Sequence, residues 1–111
     1  MFNKKKKQLM KEQRQEEIKA LLTEVYNAIA QPEYGRRYNR LRRALLEAYQ
    51  VVDAGKWDAQ CLSDVVKHIQ HMALRNYKVG VDNPPVFSEV RPKLEYYIGN
   101  QRPLLGLWIY H

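Results

Sequence analysis

The chain has 111 residues, 45% of them hydrophobic, with 19 Lys/Arg against 12 Asp/Glu and a formal net charge of +7. This length sets one domain around a single core, and the apolar content excludes disorder throughout. The lone cysteine, Cys61, excludes an intramolecular disulfide and a cysteine-based zinc site, and no apolar run approaches the ~20 residues that span a bilayer.

Residues 1–15 form a basic extension rich in Lys, Gln, Glu and Arg. Met1–Lys7 is followed by a polar, glutamate-bearing stretch and not by the apolar region of a signal peptide, so an intracellular protein is expected. On the wheel of the helix that follows, Leu9 falls opposite the apolar stripe. The extension is therefore either a frayed helical overhang or disordered. Lys4–Lys7 has the composition of a polybasic surface anchor and equally of a solubilising tail.

Residues 16–111 are expected to form the folded domain. Ile18, Leu21, Leu22, Val25 and Ile29 recur at spacings of three and four, which predicts a helix over Ile18–Ile29. Pro32 ends it, because the residue before proline is pushed out of helical geometry. A second helix is predicted over Tyr34–Val52, with Tyr34, Tyr38, Leu41, Leu45, Ala48 and Val52 on one side and Arg36, Arg40 and Arg43 almost opposite. Gly55 suits a left-handed C-terminal cap, and Asp58 can accept from the amides that open the next helix. That third helix, Leu62–Tyr77, buries Leu62, Val65, Val66, Ile69, Met72 and Ala73, and Asn76 to Gly80 marks its end. After the extended Asn83-Pro84-Pro85 linker, a shorter helix is predicted over Phe87–Ile98. Its expected features are Ser88 as N-cap, Pro92 in the first turn, a face of Val90, Leu94, Tyr97 and Ile98, and a stop at Gly99-Asn100. Short connections make neighbouring helices antiparallel. The expected fold is all-α: an antiparallel four-helix bundle with an apolar C-terminal tail, Pro103–His111, that folds back onto the bundle or meets a partner.

Charge is unevenly placed. Residues 1–43 hold 12 Lys/Arg against 5 Asp/Glu, whereas 44–111 hold 7 of each. The densest cluster is Arg36, Arg37, Arg40, Arg42 and Arg43. It reads as a solvated basic face or as a contact for an anionic membrane, an acidic protein or nucleic acid. Tyr38, a stacking platform in the nucleic-acid reading, points to the core side instead. On the third helix Asp64, His68, His71 and Arg75 share an arc with Cys61 at its edge. The histidines are three apart and no other helix completes a shell, so a polar face is expected and no metal site. Cys61 lies near a helix start, where the dipole lowers a thiol pKa, but His68 is two turns away. A structural thiol is expected. Without a Gly-rich phosphate loop, paired carboxylates or a Ser/His/Asp set, no catalytic residue and no cofactor is expected.

Leu21-Leu22-Thr23-Glu24-Val25-Tyr26-Asn27-Ala28-Ile29, the Pro32-Glu33-Tyr34 break, the helix ending in Leu45-Leu46-Glu47-Ala48-Tyr49 and the third helix at Leu62–Tyr77 carry a resemblance. Over Glu17 to Ile98 the chain resembles the cytoplasmic immunity proteins for class IIa (pediocin-like) bacteriocins of lactic acid bacteria. The resemblance implies an antiparallel four-helix bundle that is not an enzyme. It implies action at the inner face of the cell membrane, on the bacteriocin-bound mannose phosphotransferase permease, so that no lethal pore opens. It also implies that toxin discrimination lies in the C-terminal half, here Val79–His111. On this reading Arg36, Arg40 and Arg43 supply attraction to the partner or to an anionic lipid surface, and Leu107, Trp108, Ile109 and Tyr110 supply contact or brace the bundle. The lysine-rich extension and the strength of the arginine cluster depart from the family pattern. They keep open a small basic nucleic-acid-binding protein as the alternative.

Overall fold

The computed structural model describes residues 2–101, with side chains described for residues 6–99. Four helices follow one another: α1 (Phe2–Ile29), α2 (Asn39–Asp53), α3 (Ala59–Lys78) and α4 (Pro85–Gln101), with a 3-10 turn at Pro32–Tyr34 before α2. α1 packs on α2, α2 on α3 and α3 on α4, and α4 closes back on α1. Cross-links between helices fix their directions. Gln15 Nε2 donates to the Asp53 carbonyl at 3.0 Å while Arg42 Nη2 donates to the Tyr26 hydroxyl at 3.3 Å, so α1 and α2 run antiparallel. The expected four-helix bundle is the fold, and no described residue forms a strand.

The core is the set of stripes that helical periodicity marks out. Ile18, Leu22, Val25 and Ile29 of α1 meet Leu41, Leu45, Ala48 and Val52 of α2; Leu62, Val65, Val66, Ile69 and Met72 come from α3, and Val86, Phe87, Val90, Leu94 and Tyr97 from α4. Each large side chain removed from water in this way contributes roughly 1.5–3 kcal/mol, which is what holds helices of marginal intrinsic stability together. Leu21, Ala73 and Ile98 lie at the margin, half-buried against the cluster.

Two glycines terminate helices by the same device. At Gly55 (φ 72°) the amides of Lys56 and Gly55 donate to the carbonyls of Val51 and Val52 at 3.1 and 2.9 Å, and at Gly80 (φ 73°) those of Val81 and Gly80 donate to Asn76 and Tyr77 at 2.8 and 3.2 Å. This paired closure satisfies carbonyls that the helix leaves open, and it requires a left-handed residue. Asp58 caps α3 as expected, its carboxylate accepting from the Cys61 amide at 2.9 Å.

Several boundaries differ from the periodicity. α2 begins at Asn39 and not at Tyr34, because Gly35 takes φ 55° and ψ −124°, a conformation that breaks the helical path. α1 is one continuous helix from Phe2, so residues 2–15 extend it beyond the core with Leu9 and Met10 exposed. α3 is longer than Leu62–Tyr77 by three residues at its start and one at its end. α4 starts two residues early, at Pro85, where a missing N–H costs nothing. Ser88 is therefore not the N-cap; its hydroxyl donates to the Pro85 carbonyl at 3.0 Å. Pro92 consequently falls in the helix interior and leaves the Ser88 carbonyl without its helical donor. Burial of Val90, Leu94 and Tyr97 on both sides of it keeps the helix together. Gly99-Asn100 does not stop α4, which runs to Gln101 with Gly99 outside the left-handed region. The apolar tail, including Leu107, Trp108, Ile109 and Tyr110, lies outside the described residues. Among the described residues no helix is long and apolar enough to cross a membrane.

Candidate anion-binding groove

The arginines of α2 and of the turn before it separate into two kinds. Arg42 turns toward α1, its guanidinium 5.3 Å above the Tyr26 ring and bonded to that residue's hydroxyl. Arg37 is held by Asn76, whose Oδ1 accepts from Nη1 at 3.1 Å. These two arginines brace the bundle. Arg36, Arg40 and Arg43 are exposed, and among the described residues none has a carboxylate at ion-pair distance.

Packing α2 and the turn before it against α3 carries Arg36 and Arg40 to a surface that neither element makes alone. A cleft of about 480 Å³ is lined by Arg40, Leu41, His68, His71, Met72, Leu74, Arg75 and Lys78. A second of about 750 Å³ adjoins it, lined by Tyr34, Arg36, Arg37, Asn39, Arg40, Met72, Arg75 and Val79. Arg40, Met72 and Arg75 are common to both, so the two form one groove. Arg36, Arg37, Arg40, Arg75 and Lys78 give it five formal positive charges, and no Asp or Glu lines it. Like charges gathered at a concave surface raise the local potential and favour an anion there. Arg43 is not part of this groove.

The floor is rigid. Asn76, fully buried, donates from Nδ2 to the Tyr38 hydroxyl and to Asn83 Oδ1, each at 2.9 Å, while accepting from Arg37. The Tyr38 ring stands edge-on between Tyr34 and Phe87, at 5.1 and 5.8 Å between centroids. One side chain thus ties the start of α2, the end of α3 and the α3–α4 linker. Asn76 carries no periodic signal and sequence reasoning missed it. Its only trace was an amide in place of an apolar residue seven positions after Ile69, on the buried face.

Asp64, His68, His71 and Arg75 do occupy the outer arc of α3, but Asp64 accepts from Gln60 Nε2 at 2.9 Å and does not orient His68. Among the described residues no group of three or more His, Cys, Asp and Glu is placed to hold a metal. His68, His71 and Arg75 instead join the arginines of α2 in the groove, a juxtaposition between two helices that sequence spacing could not show. Cys61 is half-buried, and the shift of its thiol is the reverse of the dipole expectation. Burial pushes the thiol pKa up, and the negative charges of Asp58 and Asp64 push it the same way. A thiol held protonated is a poor nucleophile.

The opposite side of the bundle is chemically different. Tyr97 and Glu17 join α4 to α1, the Tyr97 hydroxyl donating to the Glu17 carboxylate. Desolvation, then this bond, pushes the tyrosine pKa up to about 12. Lys19 contacts Asp53 at 2.8 Å and Glu16 at 3.3 Å, and its pKa is raised chiefly by the bond to Asp53. No family model, no curated protein and no solved structure matches the chain.

Proposed function

We propose that this chain is an immunity protein of the class IIa bacteriocin type, a non-enzymatic cytoplasmic protein that acts at the inner membrane face on the bacteriocin-bound mannose phosphotransferase permease. The observation that carries the reading is the placement of the resembling segments. Leu21–Ile29 and Leu45–Tyr49 lie on adjacent antiparallel helices, and Leu62–Tyr77 lies on the third helix of a closed bundle, the arrangement the resemblance implies. The exposed Arg36, Arg40 and Arg43 supply long-range attraction to the partner at an anionic inner surface. Leu107, Trp108, Ile109 and Tyr110 supply contact or brace the bundle.

Protection is the test. The chain is expressed in a bacteriocin-sensitive strain carrying the permease and challenged with a panel of pediocin-like peptides, beside a variant lacking residues 107–111. Selective survival, lost in a truncated protein that keeps its helical circular dichroism, is the expected result. Equal killing of expressing and control cells across the panel would overturn it.

The alternative, a small basic nucleic-acid-binding protein, draws on the carboxylate-free groove. It requires binding to mixed DNA or RNA whose affinity falls steeply with salt, since phosphate contacts release counterions.

A further inference from the structure

We propose that the α2–α3 groove is a binding site for the phosphate groups of anionic phospholipids, seating this end of the bundle on a membrane surface. The proposal deepens the reading above by naming a lipid partner for Arg36 and Arg40, and it adds Arg75, Lys78 and the histidines of α3 to the same site.

The first argument is charge. Five cationic side chains, from the turn before α2, from α2 and from α3, line one continuous groove, with no carboxylate among the lining residues. Outside the groove, Lys19 lies against Asp53 and Glu16, and Arg91 against Glu95 at 3.2 Å. Leaving the groove's charges together costs self-repulsion, and an external anion relieves it. Guanidinium forks match phosphate oxygens in geometry as well as charge.

The second argument separates a lipid surface from nucleic acid. The groove carries large apolar side chains that face water, Leu74 at 53% and Val79 at 62% exposure. Cations beside exposed aliphatic groups suit the boundary between headgroups and acyl chains. A groove for single-stranded nucleic acid uses exposed aromatic rings for base stacking. Here Tyr38 is buried in the core and Tyr34 is half-buried against it. The third argument is preorganisation: the bond to Asn76 holds Arg37, one of the five cations, before any ligand arrives.

Vesicle co-sedimentation of the full chain tests this without toxin or permease, so its outcome is separate from that of the protection assay. Partition is measured on vesicles of phosphatidylglycerol in phosphatidylcholine and on phosphatidylcholine alone. Three proteins are compared: wild type, Arg36→Gln/Arg40→Gln/Arg75→Gln, and a charge-matched control, Lys11→Gln/Lys56→Gln/Lys93→Gln. Each well-placed cation is worth ~1 kcal/mol at such a surface, or about 5-fold, so the groove variant should partition roughly 100-fold more weakly on anionic vesicles. The control should lose far less. A further pair, Leu74→Ser/Val79→Ser, should weaken the binding that survives at high salt. Equal loss in the groove and control variants would overturn the site and leave only diffuse attraction. Equal binding to both vesicle types would overturn the phosphate chemistry. If inorganic phosphate alone saturates the groove residues at the same concentration as lipid phosphate, the site is one for soluble phosphate. If mixed duplex DNA binds more tightly than the anionic vesicles and loses affinity in the groove variant alone, the partner is nucleic acid.

Discussion

The two long sides of this bundle handle charge in opposite ways. On the α1 side, Lys19 is gripped by Asp53 and Glu16, and Tyr97 is anchored to Glu17, so polar groups tie helix to helix. On the α2–α3 side, Arg36, Arg40, Arg75 and Lys78 line a groove that no acidic side chain enters. Behind Arg37, which also lines that groove, lies Asn76, a fully buried polar residue with three side-chain hydrogen bonds. The difference teaches that a net charge of +7 is not a uniform property of this molecule. Some cations serve the fold, and others are held ready by it.

The largest effect that sharpens the contrast is at Asn76. In Asn76→Ala the buried Tyr38 hydroxyl loses its partner, at a cost of ~1–3 kcal/mol, while Arg37 and Asn83, both exposed, can turn to water. A destabilisation of about 2 kcal/mol is expected in urea unfolding. A loss under 1 kcal/mol would mean that this corner of the bundle is held by apolar packing alone.

The Tyr97–Glu17 link is expected to matter less and to show a pH signature. Replacing the hydroxyl in Tyr97→Phe leaves Glu17 accessible to water, so a cost of about 1 kcal/mol near neutrality is expected. The folded tyrosine holds its proton up to about 12, whereas an unfolded one releases it near its ordinary value of ~10. Between these limits the unfolded state binds fewer protons, so stability is complete below pH ~10 and falls as pH rises toward 12. Lys19, also shifted upward, adds to the same decline. The slope of unfolding free energy against pH should be shallower in Tyr97→Phe, and an identical slope would remove the hydroxyl from the account.

The smallest effect on stability is predicted for the groove arginines, and that is the point of comparison. Arg36→Gln and Arg40→Gln remove no ion pair among the described residues, so each should change stability by no more than about 0.5 kcal/mol, with a gain as acceptable as a loss. Differential scanning calorimetry of the two variants would show it. A loss above 1 kcal/mol in either would assign that arginine to the fold and weaken its claim to a partner.

The sequence by itself determined the number of helices, their order, the apolar faces and the cap at Asp58. All of these are written in local chemistry: the period of 3.6 residues, a proline, a glycine able to enter the left-handed region and a carboxylate at a helix start. Boundaries were legible only where such a signal was unambiguous. Apolar spacing extends the second helix back to Tyr34, through a stretch that Gly35 in fact bends away, and the chemistry of Ser88 suits a cap that the earlier start of α4 at Pro85 rules out. Tertiary structure alone decided which charges serve the fold. Arg37, Arg42 and Arg40 are neighbours in the sequence and look alike there, yet they face Asn76, Tyr26 and the open groove. What distinguishes them is the element each one meets, and that meeting joins residues 16 to 39 positions apart in the chain. No periodicity within one helix can carry information about the surface of another.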